Sequence, residues 1–201
     1  MISHYFFYFS SGYDSLLLLE MLYHRNIVPA LLCKGSRILN LTIDRHNIVF
    51  IDSYKFIRAS LAKCAKLFNL KSLSKGDFPI RANSEAFYNT RSIPPFQWFL
   101  KDNETSAERV RKMAWWKIRK KSAWYFNDEI SKYCEIDVMI VVHMVLKFSH
   151  EWSQLQMELC NYFENKSLKR PFMPFGRPFT TLGSFTFCLY KYFQGNDYDI
   201  R

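Results

Sequence analysis

A basic segment interleaved with tryptophans contains the residue types that most directly suggest a chemical role. Between residues 109 and 124 the cations are Arg109, Arg111, Lys112, Lys117, Arg119, Lys120 and Lys121, and the indoles are Trp115, Trp116 and Trp124. Cations contact phosphates and indole rings stack on bases, so the segment is suited to single-stranded nucleic acid. We predict DNA contacts by Trp116 and by three cations expected to be exposed, Arg119, Lys120 and Lys121. The alternative is a solvated basic helix whose tryptophans face the core.

Two aspartates occupy positions from which a carboxylate can reach a cleft. Asp14 follows Gly12–Tyr13, a predicted tight turn at the start of a helix. Asp137 lies four residues after Tyr133, so the two side chains share one face of a predicted helix. The structural alternatives are a helix N-cap for Asp14 and a solvated helix residue for Asp137. The five histidines and the five cysteines show no metal-ligand spacing.

Composition limits the class of protein. The chain has 28 Lys and Arg against 18 Asp and Glu, a net charge of +10, which favours a polyanionic partner or describes a merely basic soluble protein. Aromatic residues make up 18% of the chain, too many for a disordered one. An odd number of cysteines without a signal peptide indicates an intracellular, reducing compartment. No apolar run approaches the about 20 residues that span a bilayer, so no membrane partner is expected.

The elements are predicted to begin with strands and to end with helices. Strands are expected at 4–9, 27–33, 38–43 and 47–51, with a turn at Asp44–His46. Helices are expected at 15–23, 55–68, 105–121, 123–134, 135–165 (with a break near Ser149) and 184–193, and residues 71–108 form a long irregular excursion. This order favours an α/β layer fold.

Three segments are similar to one family of enzymes. The run from Phe50 to Pro79, FIDSYKFIRASLAKCAKLFNLKSLSKGDFP, resembles the region between the second and third exonuclease motifs of protein-primed family B DNA polymerases. Residues 9–22, FSSGYDSLLLLEML, resemble the second motif, and residues 133–138, YCEIDV, resemble the third. The resemblance covers about residues 8–193, strongly at 9–22, 48–79 and 124–142 and thinly elsewhere. It implies a ribonuclease H-like exonuclease fold, incomplete at the N-terminus.

The resemblance also implies roles for particular residues. Exonucleases of this family remove a 3′ nucleotide with two metal ions, Mg²⁺ or Mn²⁺, held by four carboxylates. Asp14 and Asp137 correspond to two of these metal ligands, and Tyr133 to the tyrosine that helps to position the attacking water. We therefore expect the Asp14 and Asp137 carboxylates to lie within about 10 Å of one another, on either side of the metal pair. The implied partner is DNA, as a single-stranded 3′ end or a primer-template, with dNTP bound only by an intact polymerase.

The sequence departs from the family pattern in ways that lower the expected activity. The thirteen residues before Asp14 contain no Asp or Glu, so the Asp-x-Glu pair of the first motif is not among them, and Phe9 stands where the second motif usually has Asn. We expect residues 1–165 to be a partial exonuclease domain and 166–201 a linker toward a missing palm domain. The chain is then a polymerase fragment with weak or absent metal binding and without polymerase activity. The alternatives are a non-catalytic, basic nucleic-acid-binding or interaction module derived from a mobile element, or the product of an incomplete or inactive gene.

Overall fold

A computed structural model describes residues 3–7, 14–70, 72–73, 77–82, 85–102, 104–162, 182–183 and 185–186 of the 201-residue chain. The chain divides into two compact units, a first unit of residues 1–64 with 141–201 and a second unit of residues 65–140. Nearly all of the predicted linker at 166–201, including most of the predicted helix at 184–193, lies outside the described residues. No helix in the described ranges is both long and apolar enough to cross a bilayer.

The first unit contains a four-stranded mixed sheet. Strands β1 (Ser3–Phe7), β2 (Ala30–Lys34), β3 (Arg37–Ile43) and β4 (Ile48–Asp52) are arranged in the order β1-β4-β3-β2. β1 is parallel to β4, and the other two pairs are antiparallel. Helix α1 (Asp14–His24) packs Leu22 against apolar side chains of β3. The α/β class expected from the sequence is thereby confirmed in its coarse form.

Short turns fix the register of the antiparallel strands. Gly35 follows β2 in the turn to β3 and has a φ of +60°. This left-handed conformation causes little steric strain in glycine, which has no Cβ. Between β3 and β4, residues Asp44–His46 form a 3₁₀ turn that ends at Asn47, whose φ of 53° is left-handed. The turn predicted at Asp44–His46 is confirmed.

A lysine takes the place of a strand partner at the end of β4. The register of β2 on β3 shifts so that Leu39 has no opposite residue, and β4 ends at Asp52, short of the first residues of β3. Lys55 Nζ donates hydrogen bonds to the carbonyls of Ile38, at 3.1 Å, and Leu39, at 2.7 Å. Burial lowers the pKa of Lys55, and the negative charge of Asp52 opposes that shift.

The helix predicted at 55–68 is wrong in its first half. Asp52 accepts a hydrogen bond from the Tyr54 backbone N–H at 3.1 Å and caps a 3₁₀ turn at Ser53–Lys55. The helix itself, α2, spans Leu61–Leu67 only. The apolar periodicity continued through the turn because Phe56 and Ile57 are buried without belonging to the helix.

The second unit begins with short helical turns and ends with long helices. Residues 71–108 contain 3₁₀ turns at Ile80–Ala82 and Phe96–Phe99 and a single helical turn, α3 (Glu85–Tyr88). Helix α4 spans Ser106–Arg119, as predicted, and starts with a capping box in which Thr105 and Glu108 bond each other's backbone N–H. The core of this unit contains Ala82, Trp124 and Phe126.

The helix that follows α4 is longer and more regular than the sequence predicted. Helix α5 runs from Phe126 to Tyr162, 37 residues, and its first part, to Ile140, belongs to the second unit. The predicted boundary after residue 134 and the predicted break near Ser149 are both wrong. The segment contains no proline or glycine, and Ser153 Oγ donates to the Ser149 carbonyl at 2.9 Å, which leaves the helix intact.

Candidate active site and nucleic-acid interface

Asp14 is the first residue of α1, and its side chain is exposed. The turn predicted before it lies outside the described residues. A negative charge in the first turn of a helix is favoured by the helix dipole, so this position has a structural use as well as a chemical one. The neighbouring Ser15 is buried, and α1 is held by its Leu22 face, which leaves the Asp14 carboxylate accessible to a ligand.

Tyr133 and Asp137 lie on α5 within the second unit, four residues apart and therefore on one face of the helix. Both side chains are half-buried, and solvent does not reach Asp137 Oδ1. The Tyr133 ring lies 5.4 Å from the ring of Phe78, which also packs on Phe126 at 5.5 Å. The phenol is thus held from the side by the loop that precedes α3, while the carboxylate lies one turn further along the helix.

The two aspartates provide the oxygen donors that Mg²⁺ and Mn²⁺ prefer. Asp14 belongs to the first unit and Asp137 to the second, and their predicted proximity stays a prediction. Among the described residues no three histidine, cysteine or acidic side chains are grouped so as to hold a metal ion. Each carboxylate is therefore chemically suited to a divalent cation.

The tryptophans of the basic segment are used for packing. Trp124 is buried beside Ala82 and Phe126 in the core of the second unit. Trp116 donates a hydrogen bond from Nε1 to the Pro94 carbonyl at 2.9 Å and is half-buried. These contacts agree with the alternative in which the indoles face inward, and only the remaining exposed part of Trp116 can meet a base.

The cations of the same segment differ sharply in their surroundings. Arg119 is half-buried, forms an ion pair with Glu129 and donates to Ser122 Oγ at 2.9 Å, so the expectation that it is exposed is wrong. Lys120 and Lys121 are exposed, as expected, and Lys120 Nζ lies 5.0 Å from the centre of the Trp116 ring. Exposed cations on or just after α4 that form no ion pair in the described chain are Arg109, Lys117, Lys120 and Lys121, which we term the α4 basic surface.

A buried ion cluster joins α4 to the loop before it. Lys112 Nζ forms ion pairs with Glu104 and, at 3.2 Å, with Asp77, and donates to the Phe99 carbonyl at 2.8 Å. Arg111, on the solvent side, bonds the other oxygen of Asp77 at 3.0 Å. The cluster fixes Asp77 next to Phe78, the residue against which the Tyr133 ring packs.

The position of Lys112 in the helical pattern indicates that this lysine is buried, although the composition of the segment does not. Lys112 lies three and four residues before Trp115 and Trp116, so it shares their inward face of α4. A lysine on an apolar face requires buried acidic partners, but the helical pattern does not say which carboxylates outside the helix supply them.

The comparisons with known proteins agree with the resemblance of the sequence motifs. A family model for DNA polymerase type B, organellar and viral, matches residues 2–167. No curated protein matches the chain, and no solved structure matches it. The matched range contains Asp14, Tyr133, Asp137 and the whole basic segment. Because it covers more than half of the chain, the protein belongs to the organellar and viral type B DNA polymerases.

Proposed function

We propose that the chain carries the proofreading 3′–5′ exonuclease region of such a polymerase, with a ribonuclease H-like fold and the single-stranded 3′ end of DNA as substrate. Family membership implies DNA as the partner and DNA replication as the process. The observation that carries the finer proposal is the unbroken course of α5 through residues 133–137, which aligns a phenol and a carboxylate on one half-buried face. The mixed sheet with its parallel β1–β4 pair is compatible with this fold.

The proposed reaction is hydrolysis of the last phosphodiester. A water oxygen forms a bond to phosphorus, the bond from phosphorus to the 3′ oxygen breaks, and that oxygen takes up a proton. Asp14 and Asp137 are the proposed ligands for Mg²⁺ or Mn²⁺, and Tyr133 orients the water through its hydroxyl. When bound, the divalent ions lower the pKa of water and stabilise the leaving oxygen.

We expect the 201-residue protein by itself to be a slow exonuclease. Its two proposed ligands supply part of a four-carboxylate shell, and a cation on a partial shell keeps more of its own water. Binding of the cation is therefore a better first readout than cleavage. Mn²⁺, titrated while its free fraction is followed by electron paramagnetic resonance, reports on the shell whether or not cleavage is detectable.

The test compares three aspartates. Asp14→Ala and Asp137→Ala are each expected to weaken Mn²⁺ binding and to abolish any trimming of a 3′-labelled single strand. Asp128→Ala is the matched control, because Asp128 is an exposed aspartate on the same helix as Asp137. Tyr133→Phe is expected to retain Mn²⁺ binding and to slow trimming. Equal Mn²⁺ affinity in all three alanine variants would show that Asp14 and Asp137 are not metal ligands.

DNA binding is proposed to use the α4 basic surface. Its free energy comes largely from counterion release, so affinity for a single strand should fall steeply as salt rises. Replacing Lys120 and Lys121 by glutamine should make the fall of log affinity with log salt shallower by about 1.4, because each phosphate contact on a single strand contributes about 0.7 to the magnitude of the slope. The control replaces Lys63 and Lys66, exposed cations of α2, by glutamine and has the same net charge. Identical slopes for the two double variants would remove the α4 basic surface from the proposal.

A further inference from the structure

Within the described part of the chain, strand β2 is an edge of the sheet, with no strand hydrogen-bonded along its outer side and with exposed residues on both faces. Among the strands that the structure describes it pairs with β3 only, and all five residues from Ala30 to Lys34 are exposed, including Leu31 at 40% and Leu32 at 50%. Each of the five residues is paired with a residue of β3. The irregularity in this pairing leaves one residue unpaired, Leu39, and that residue belongs to β3, so β2 itself contains no bulge. Soluble proteins usually protect such an edge with charges, prolines, bulges or a covering element. Here one lysine is the only protection that the strand itself carries.

Two cations face one another at the end of the hairpin. Lys34 lies directly opposite Arg37, both side chains are exposed, and neither forms an ion pair within the described chain. Like charges at directly opposed strand positions destabilise a hairpin. A carboxylate brought beside them by a third strand would relieve this repulsion. Strand β2 itself, with the sequence Ala-Leu-Leu-Cys-Lys, contains no carboxylate side chain.

We propose that the β2 edge is a docking site for an extended segment of another polypeptide, which adds a fifth strand and places an acidic residue beside Lys34 and Arg37. An edge strand directs alternate N–H and C=O groups outward, and a polypeptide strand supplies both the donors and the acceptors that match them. Five residues span about 17 Å, enough for several such bonds.

A second copy of the chain is a poorer occupant than an acidic segment. Pairing of β2 with another β2 would add no carboxylate near Lys34 and Arg37. It would also bring together two chains that each carry a net charge of +10. Nucleic acid is poorer for a different reason, since its phosphates offer acceptors to the outward N–H groups but no donors to the outward carbonyls.

The probe is a labelled seven-residue peptide of alternating valine and threonine with a glutamate at each end. Its partner probe has lysine in place of both glutamates, and a third probe is N-methylated along one edge, which removes the strand donors. The glutamate peptide is expected to bind at least tenfold more tightly than the other two, by fluorescence anisotropy at low salt. Hydrogen exchange is expected to show new protection at amides of residues 30–34.

Variants of the protein locate the site. Lys34→Glu should abolish the preference for the glutamate peptide, because the new carboxylate offsets the remaining charge of Arg37. Leu32→Lys should weaken binding of the glutamate peptide tenfold or more, whereas Leu67→Lys, at an exposed leucine of α2, should leave it unchanged. Any one of three results would overturn the proposal. One is indifference of binding to the charge of the peptide. Another is protection of residues 30–34 by a single-stranded oligonucleotide that displaces the peptide. The last is self-association of the free protein that Leu32→Lys abolishes.

Discussion

Removal of the Lys112 ammonium tests whether the buried ion cluster holds the second unit together. The side chain is 4% exposed and lies between Glu104, 9% exposed, and Asp77, with the Phe99 carbonyl as a third acceptor. Lys112→Met keeps the length of the side chain and deletes the charge. Glu104 then loses its ion pair in a buried position where its Oε2 already accepts no hydrogen bond from the described residues.

The expected cost follows from the burial of the partners. Breaking a buried pair by removing one charge costs about 3–5 kcal/mol, because the remaining carboxylate is left desolvated and uncompensated. Arg111→Met removes a cation from the same Asp77, but Arg111 is 67% exposed, and exposed pairs contribute about 0–1 kcal/mol. Adjacent residues that share an acceptor thus provide a matched comparison in which burial is the main difference.

The assay is urea unfolding, followed by tryptophan fluorescence and by circular dichroism. Lys112→Met should lower the free energy of unfolding by several kcal/mol, and Arg111→Met by less than about 1 kcal/mol. Adding Glu104→Gln to Lys112→Met should recover part of the loss, since the amide carries no charge to desolvate. If the two methionine variants lose equal stability, or if Glu104→Gln makes the loss larger, the reasoning about buried charge is wrong.

Three further predictions concern local structure. Lys55→Met should cost about 1–3 kcal/mol, because two strand carbonyls lose their donor. The pKa of Lys55 is lower in the folded state than in the unfolded state, so between the folded pKa and 10.5 the unfolded state binds more protons. The stability of the wild-type protein should therefore rise as pH increases through this window, relative to that of Lys55→Met, in unfolding titrations at alkaline pH. Thr105→Ala should cost about 1 kcal/mol by loss of the α4 cap, measured by thermal unfolding. Hydrogen bonds from Thr105 lower the pKa of Glu108 in the folded state. The stability that Glu108 provides above its unfolded pKa of 4.5 should therefore be lost as pH falls through its folded pKa. Glu108→Gln should remove this dependence of stability on acid pH. Asn69, with φ 51° at the end of α2, should tolerate glycine and lose about 1 kcal/mol on replacement by alanine in the same unfolding assay.

Local patterns predicted the elements well where one period dominates. The apolar run at Ile48–Ile51 and the turn at Asp44–His46 gave β4 and its hairpin with β3, and the boundaries of α4 agree to within two residues. The errors lie where periodicity continues through a change of structure, as at residues 55–60, or where a break was expected within one continuous helix, as near Ser149. A hydrophobic pattern indicates which side chains are buried, but it does not distinguish buried side chains of a turn from those of a helix.

The sequence by itself determined the family, the α/β class and the one-turn spacing of Tyr133 and Asp137, because motif wording and helical period are local properties of the chain. Tertiary structure alone decided which cations of the basic segment are exposed. Lys112 is buried because Asp77, from a distant loop, and Glu104, from just before the same helix, both pair with it, and Arg119 is half-buried because Glu129 pairs with it from the next helix. The charge of a lysine or arginine is written in the sequence, but whether that charge faces water or a carboxylate depends on residues brought together only by folding.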